Sequence, residues 1–205
     1  MADTQMNHRQ DRPPRVFVIG GANGAGKTTA AGALLPSGIP FLNADIIEST
    51  LPLEESSARQ VLAGRMYLQE WRRLVAQRFS FAVESTLATR TLATRIEAAQ
   101  HLGYEFELIF LYIPSVELAI QRVAGRVLRG GHHIPEDTIR RRYDAGLRAF
   151  WSIYQPLADA WSAHGSSQGG EARLVASGEK GGIMQVFDPQ IWSQIREAVH
   201  RGYNR

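Results

Sequence analysis

The chain has 205 residues, a net charge of +3 and no cysteine. Its length suits a single α/β domain with a buried core, and the missing cysteines exclude disulfides and thiolate metal sites and fit a reducing cytoplasm. No apolar run approaches the ~20 residues of a membrane span, and no lysine-rich tract with interleaved aromatics favours nucleic acid. We therefore expect a cytoplasmic protein that binds neither a membrane nor nucleic acid.

Arginine supplies almost all of the positive charge, with 21 arginines against two lysines. The forked guanidinium suits phosphate groups better than an ammonium does, so this composition fits an acidic, phosphate-bearing ligand. A general preference for arginine over lysine explains the same numbers, and composition does not separate the two.

The predicted elements alternate between strands and helices. Residues 1–14 are polar and end at prolines, which predicts a disordered lead-in, and residues 15–205 form one predicted domain. In chain order we expect a strand over 16–19, a helix over 27–35, a strand over 40–43, a helix after Asp45, a helix over 54–78, a strand over 79–84, a helix over 91–102, a strand over 105–113, helices over 115–128 and 135–154, a loop over 165–170, a strand over 172–177 and a helix over 189–200. This alternation predicts a doubly wound, parallel five-stranded sheet flanked by helices.

Residues 21–28 read G-A-N-G-A-G-K-T and match the phosphate-binding loop pattern G-x-x-x-x-G-K-[ST] at every fixed position. A predicted buried strand precedes them and a predicted helix follows, which is the context in which this loop cradles a nucleoside triphosphate. In that context Lys27 reaches the β- and γ-phosphates and the Thr28 hydroxyl ligates Mg²⁺. We therefore expect ATP or GTP and Mg²⁺ as cofactors, bound by Gly21, Ala22, Asn23, Gly24, Ala25, Gly26, Lys27, Thr28 and Thr29. The alternative is a glycine turn between strand and helix without a ligand.

Polar side chains follow the second and third predicted strands. Asn43 and Asp45 follow the second strand, and Glu84 and Thr86 follow the third. The carboxyl ends of parallel strands meet at one edge of the sheet, where ligands bind. Asp45 is our candidate to orient and deprotonate an acceptor hydroxyl. The alternative role for Asp45 is the N-cap of a helix that begins at Ile46.

Glu84 ends a strand that is predicted to be buried, where a lone carboxylate is costly unless it meets a cation, water or a hydrogen-bond donor. No other strand ends in the apolar-run-plus-aspartate pattern of a Walker-B motif. This leaves Glu84 or Asp45 as the carboxylate near Mg²⁺, and Glu84 is also a candidate to bind acceptor hydroxyls. The alternative is a solvated strand end.

Arginines concentrate between residues 122 and 142. Arg122, Arg126 and Arg129 lie three or four residues apart and therefore share one helix face, just before a Gly-Gly-His-His break. A mobile basic segment of this kind would close over polyphosphate and neutralise charge in the transition state. The alternative is a solvated basic face.

Two further arginines have an ordinary structural explanation. Arg140 follows Glu136 by four residues, and Arg141 follows Asp137 by the same interval. This spacing predicts ion pairs along one helix, so we assign both arginines to the helix surface.

Five segments together resemble the zeta toxin family of P-loop kinases: G-A-N-G-A-G-K-T-T, F-L-N-A-D, F-A-V-E-S-T-L, G-Y-E-F-E-L-I-F-L-Y-I-P-S and R-V-A-G-R-V-L-R-G-G-H-H-I-P-E-D-T-I-R-R-R-Y. The resemblance spans roughly residues 15–200, and the series G-G-H-x-I-P-x-x-x-I-x-R-R-Y is more specific than the loop alone. It implies a kinase that transfers the γ-phosphate of ATP or GTP to a sugar-nucleotide hydroxyl. The best-known acceptor is the 3′-hydroxyl of UDP-N-acetylglucosamine, and the product starves cell-wall synthesis.

The resemblance also implies roles for single residues. Lys27 and Thr28 would hold the phosphates and Mg²⁺, and Asp45 matches the catalytic aspartate of the family. Glu84 and Thr86 match its acidic and hydroxyl acceptor-binding positions. Any neutralising antitoxin would be a separate protein.

The arginines match the family pattern in part. Arg126, with Arg122 one turn earlier, matches a catalytic, phosphate-contacting arginine. The arginine expected after the E-x-T element is Ala88 here, which makes Arg90 the candidate for acceptor binding. A second phosphate-contacting arginine is expected in the Gly-Gly-His-His region, and Arg129 lies just ahead of it.

Two other functions stay open from the sequence. One is a metabolic nucleoside or small-molecule kinase on the same fold, and the other is a nucleotide-binding switch without a physiological acceptor. Asp45 favours a kinase, because a switch needs no acceptor base beside the γ-phosphate.

Overall fold

The structure is a computed structural model that describes residues 12–52, 56–131, 133–166, 172–180 and 184–203. Residues 1–11 of the expected lead-in, the first part of the expected helix at 54–78 and residues 167–170 of the expected loop lie outside the described residues. Pro14 is buried, and its carbonyl accepts the Glu105 N–H at 2.9 Å. The packed part of the chain therefore begins before Arg15.

The elements follow one another as the alternating pattern predicts. They are β1 (Arg15–Gly21), α1 (Lys27–Leu34), β2 (Phe41–Leu42), α2 (Ala44–Ser49), α3 (Ser56–Ala76), β3 (Phe81–Ser85), α4 (Thr91–His101), β4 (Glu105–Tyr112), α5 (Val116–Val127), α6 (Glu136–Ala149), a π-helical turn (Phe150–Tyr154), α7 (Gln155–Leu157), β5 (Ala160–Ser166), β6 (Ala172–Glu179), β7 (Gln185–Val186) and α8 (Pro189–Tyr203). No helix among these described residues is both long and apolar enough to cross a bilayer.

The sheet has the strand order β2-β3-β1-β4-β5-β6-β7. Neighbours from β2 to β5 pair in parallel, and β6 and β7 add to the edge in antiparallel pairing. This confirms the predicted α/β fold with a mostly parallel sheet flanked by helices. The predicted number of five strands is wrong, because the described residues form seven.

The error in strand number comes from the last third of the chain. The fifth parallel strand is β5, whose sequence A-W-S-A-H-G-S contains no β-branched aliphatic residue and therefore lacks the usual strand signal. The loop expected over 165–170 begins inside this strand. The strand expected over 172–177 exists as β6, but it runs antiparallel to β5.

The turn before β3 also differs from the prediction. A strand was expected over 79–84, but β3 begins at Phe81. Arg78 has a left-handed backbone with a φ of 55°, and the Phe79 N–H donates back to the Leu74 carbonyl at 3.0 Å. These contacts close the end of α3, so Phe79 lies in the turn and half exposed.

Each face of the sheet carries its own apolar core. Along β4, Phe106, Leu108 and Phe110 point into one core, and Ile109 and Leu111 point into the other. The first core packs beneath α3, α4 and α8, and the second packs beneath α1 and α5. Helices therefore cover both faces of the sheet.

Helix α6 belongs to both cores. Ile139 and Tyr143 pack into the second core, while Leu147 packs into the first. The π-helical turn that follows places Phe150 against Phe110, with their rings stacked at 3.9 Å between centroids. This confirms the helix predicted over 135–154 and fixes α6 against the sheet.

We expect Phe150→Ala to destabilise the protein by about 3–5 kcal/mol, because the ring is fully buried and its removal leaves a cavity beneath α6. Urea unfolding followed by circular dichroism measures this change. Leu128→Ala is the control, because Leu128 is 90% exposed and its truncation should leave the midpoint unchanged. Equal midpoints for the two variants would contradict the assignment of Phe150 to the core.

Candidate active site

A cleft of about 540 Å³ opens at the carboxyl ends of β2 and β3, between the phosphate-binding loop and α6. Polar residues from four segments share its wall. They are Asn23, Lys27, Asn43, Asp45, Glu84, Ser85, Thr86, Thr89, Arg141 and Arg142, with Ala44, Ala88 and Ala145 between them. The cleft therefore joins the predicted nucleotide loop to the predicted acceptor residues.

The phosphate-binding loop, residues 21–28, has the backbone that its sequence predicts. Gly24 has a φ of 80°, and a Cβ at this position would lie 2.7 Å from the Ala119 carbonyl oxygen, so only glycine fits. No side chain caps the start of α1 after Gly26, which leaves the first N–H groups and the helix dipole directed at the loop. Asn23 Oδ1 is buried and has no hydrogen-bond partner among the described residues. The glycine backbone and the uncapped start of α1 suit an anionic ligand.

Lys27 is buried inside the loop. Its Nζ donates to the Ala22 carbonyl at 3.0 Å and lies 3.6 Å from Glu84 Oε1. Burial lowers the pKa of Lys27, the carboxylates of Glu84 and Asp45 oppose this shift, and the Arg126 guanidinium adds to it. Added phosphate charge would therefore stabilise the protonated lysine.

Glu84 is the hydrogen-bond centre of the site. Its Oε2 accepts from Thr28 Oγ1 and from Asn43 Nδ2, both at 2.7 Å. The half-buried carboxylate at the end of β3 therefore has hydrogen-bond donors. The alternative of a solvated strand end is wrong.

The oxygens of Thr28 and Glu84 fit the predicted magnesium site. They lie 2.7 Å apart beside the phosphate-binding loop, and both are hard oxygen ligands. No group of three or more histidine, cysteine or carboxylate side chains among the described residues could hold a metal by itself. Mg²⁺ commonly takes one or two protein oxygens and completes its shell with water and substrate phosphates, so two protein ligands suffice.

Asn43, rather than Asp45, caps α2. Asn43 Oδ1 accepts the N–H groups of Asp45 at 2.8 Å and of Ile46 at 3.3 Å. The alternative assignment of Asp45 as the N-cap is therefore wrong. The Asp45 carboxylate is left in the first turn of α2, exposed on the cleft wall and close enough to affect Lys27.

The acceptor side of the cleft differs from the prediction in its arginines. Thr86 lines the cleft as expected, but Arg90 is exposed at the start of α4 and is not part of the cleft lining. Arg141 and Arg142 of α6 line the cleft instead.

The expected ion pairs along α6 do not form. Among the described ion pairs, Arg140 binds Glu117 of α5 at 3.0 Å rather than Glu136, and Arg141 faces the cleft rather than Asp137. The sequence permits both arrangements, because Arg141 lies four residues after Asp137 and four residues before Ala145, which also lines the cleft.

Arg122 and Arg126 of α5 lie near the phosphate-binding loop, whereas Arg129 lies beyond the end of α5. Arg122 Nη1 donates to the Gly24 carbonyl at 3.5 Å and to Ser166 Oγ, so this side chain lies against the phosphate-binding loop. Arg126 lies near enough to Lys27 to affect its pKa, and its aliphatic part packs against Gly131. Arg129 follows the end of α5, is exposed, and lies back beside Gly125.

A doubly wound parallel sheet, a phosphate-binding loop after β1 and a cleft at the strand ends define the P-loop kinase fold and the class of phosphotransferases. The chain belongs to the zeta toxin family, whose family model, Zeta toxin, matches residues 1–157. A curated relative, an uncharacterized protein of Haemophilus influenzae (strain ATCC 51907 / DSM 11121 / KW20 / Rd), is 28% identical over 123 residues, which cover 60% of this chain and 88% of the relative.

Two solved structures share the fold. A chain of the AvrRxo1-ORF1:-ORF2 crystal structure with ATP has a TM-score of 0.75 and 19% identity over 90% of this chain. The match spans only 64% of that chain's length. The PezAT chromosomal toxin-antitoxin system of Streptococcus pneumoniae has a TM-score of 0.61 and 15% identity, and the match covers 98% of this chain and 90% of that chain.

The lowered pKa of Lys27 predicts that nucleotide affinity falls on the alkaline side before an ordinary lysine would titrate. Phosphate binding favours the protonated form, so affinity should fall up to tenfold per pH unit once pH exceeds the lowered pKa. Tyr67 and Tyr154 do not interfere, because burial raises the pKa of each to about 12. Calorimetric titration with Mg-ATP from pH 7 to 10.5 measures the decline.

Lys27→Arg is the matched control for this titration, because a guanidinium stays charged over the whole range. The test is the shape of the pH profile rather than the overall affinity, and the affinity of this variant should lack the alkaline decline. A flat wild-type profile up to pH 10.5 would contradict the lowered pKa.

Proposed function

We propose that the protein transfers the γ-phosphate of ATP or GTP to a hydroxyl of a small sugar-nucleotide acceptor such as UDP-N-acetylglucosamine. The observation that carries the proposal is a single cleft that is lined by Lys27 of the phosphate-binding loop, Asp45 of α2 and Thr86. The proposed donor groups and acceptor groups thus share one cleft.

The donor half of the reaction rests on the phosphate-binding loop. Its backbone N–H groups and Lys27 hold the β- and γ-phosphates, and the chain from Gly21 to Thr29 encloses them. Thr28 and Glu84 are the residues that would hold Mg²⁺, which when bound neutralises phosphate charge. Glu84 would then exchange its bond from Thr28 for the ion.

The acceptor half rests on Asp45. Its carboxylate accepts the hydroxyl proton of the acceptor as the acceptor oxygen bonds to the γ-phosphorus. The bond between the γ-phosphorus and the β–γ bridging oxygen breaks, and the nucleoside diphosphate leaves with that electron pair. The cap that Asn43 provides holds Asp45 in place for this role.

Arginines from two helices would neutralise the negative charge on the transferred phosphoryl group. Arg126, which lies close enough to Lys27 to lower its pKa, would contact the γ-phosphate, and Arg122 donates a hydrogen bond to the Gly24 carbonyl of the loop. Arg141 and Arg142 approach from α6 on the acceptor side. We assign to these two the acceptor contact that the sequence analysis gave to Arg90.

The size and polarity of the cleft support a sugar nucleotide as the acceptor. A volume of about 540 Å³ lies within the range of ordinary small-molecule sites. Glu84, Thr86 and Asn43 can bind sugar hydroxyls, and the α6 arginines can bind phosphate. This combination suits a ligand that carries both groups.

We further propose that the protein acts as a toxin and that a separate antitoxin protein controls it. Family membership supports this, as does the fold shared with the PezAT toxin-antitoxin system. The two alternatives are a metabolic kinase for a nucleoside or other small molecule, and a nucleotide-binding switch.

We expect Lys27→Ala and Asp45→Ala each to lower the rate of label transfer from γ-labelled ATP to UDP-N-acetylglucosamine by at least about a hundredfold. Asp45→Ala should keep Mg-ATP binding, because Asp45 does not hold the donor. Mass spectrometry of products from a panel of sugar nucleotides identifies the acceptor. Wild-type transfer by Asp45→Ala would contradict its assignment as the base.

The same two variants separate the toxin from its alternatives. Induced wild-type protein should arrest bacterial growth, and both variants should be harmless. A harmless wild-type protein that phosphorylates a small molecule supports a metabolic kinase. Nucleotide binding without any acceptor product supports a switch.

We expect Arg141→Ala to raise the KM for the acceptor about tenfold with little change in ATP binding, because Arg141 lines the acceptor wall. Arg140→Ala is the matched control, since Arg140 binds Glu117 outside the cleft and exposed pairs contribute little. Steady-state kinetics at saturating ATP measure both variants. Equal KM values for the two would contradict the assignment.

A further inference from the structure

Leu87 has a backbone conformation that leucine rarely adopts. Its φ is 59°, in the left-handed region, and its side chain is fully buried. A bulky residue in this region is an outlier that persists only when its surroundings hold it there. Leu87 follows directly after Thr86, on the acceptor side of the cleft.

Two contacts hold Leu87 in place. Its N–H donates to Ser85 Oγ at 3.0 Å, which closes a tight turn at the end of β3. Its side chain covers Gly20 of β1, where a Cβ would lie 2.7 Å from Leu87 Cδ1. Gly20 is the β1 partner of Ser85, so the strand beside the phosphate-binding loop provides the space that the leucine fills.

The turn at Leu87 also fixes its neighbours against α6. A Cβ at Gly146 would lie 2.3 Å from the Thr86 carbonyl oxygen, so the chain and the helix touch directly at this point. On the other side, Tyr154 donates its hydroxyl to the Thr89 carbonyl at 2.6 Å. Helix α6 therefore contacts the residue before Leu87, and the π-helical turn contacts the chain two residues after it.

The result is a cleft wall that a regular strand could not form. In a strand, alternate side chains face opposite sides. Here Ser85, Thr86, Ala88 and Thr89 all line the cleft, while Leu87 alone points into the core. The left-handed turn thus brings consecutive residues to one surface.

We infer that Leu87 is a positioning residue for the acceptor: its left-handed turn, held between Gly20 and Gly146, sets the place of Thr86 in the cleft. The inference rests on the proposed function, in which Thr86 contacts the acceptor. Because Gly146 lies on the same helix as Arg141 and Arg142, the contact also fixes the distance between the two acceptor walls.

The test uses glycine-to-alanine substitutions on two helices. Gly146→Ala should favour α6 by helix propensity, yet its methyl group must displace the Thr86 carbonyl. Gly64→Ala on α3 is the matched control, because a Cβ there meets nothing within 4 Å. We expect Gly146→Ala to lower kcat/KM for UDP-N-acetylglucosamine about 10- to 100-fold, chiefly through KM, with the Kd for Mg-ATP unchanged. Gly64→Ala should match the wild type in all three values.

Leu87→Gly provides the second variant, because it accepts the left-handed backbone without the side chain that fixes it. It should raise the acceptor KM in the same way, and it carries the test if Gly146→Ala does not fold. A wild-type acceptor KM in both Gly146→Ala and Leu87→Gly would overturn the inference.

A measurement without any acceptor separates this inference from the proposed function. The methyl resonance of Thr86, assigned with Thr86→Ser, should shift in Gly146→Ala and in Leu87→Gly and stay in place in Gly64→Ala. If the wild type phosphorylates no sugar nucleotide, the proposed function fails while these shifts still support the positioning role. An unshifted Thr86 resonance in both variants would overturn the positioning role, whatever the acceptor.

Discussion

The carboxylate of Glu84 joins three segments of the chain that would otherwise end separately at the edge of the sheet. It accepts hydrogen bonds from Thr28 on the phosphate-binding loop and from Asn43 after β2, and it lies 3.6 Å from the Lys27 ammonium. A carboxylate in this half-buried place is stable only with such partners. The phosphate-binding loop, the start of α2 and the end of β3 are therefore held together at the cleft.

Asn43 carries this constraint onward into α2. Its amide donates to Glu84, while its carbonyl oxygen accepts the N–H groups of Asp45 and Ile46. One side chain thus caps the helix and ties that cap to the Glu84 carboxylate. Because Asn43 is the N-cap, the Asp45 carboxylate is not needed to accept the backbone N–H groups of α2 and stays available to the cleft. The placement of the proposed base depends on an amide two residues earlier.

Local patterns predicted that Glu84 meets the phosphate-binding loop, and contacts between distant elements explain what these patterns missed. The loop at 21–28 and the polar residue Glu84 stand in or directly after strands with a clear apolar run, so their meeting follows from parallel topology. The wall formed by Arg141 depends on the rotation of α6, which is set by packing into both cores, and the spacing to Asp137 favoured the wrong partner. Strand β5 was missed because neighbours, not propensity, hold its small and polar residues in the sheet.

Helix α6 connects the first core to the cleft through direct packing contacts as well as through its arginines. Just after its last residue Phe150 stacks on Phe110 of the sheet, and in its last turn Gly146 touches the Thr86 carbonyl without an intervening side chain. A side chain at Gly146 would hold helix and strand end apart, and the arginine wall would move with the helix. Packing in the first core and the contact with Thr86 therefore depend on the same helix, so a change beneath α6 reaches the cleft through backbone contact rather than through any charged group.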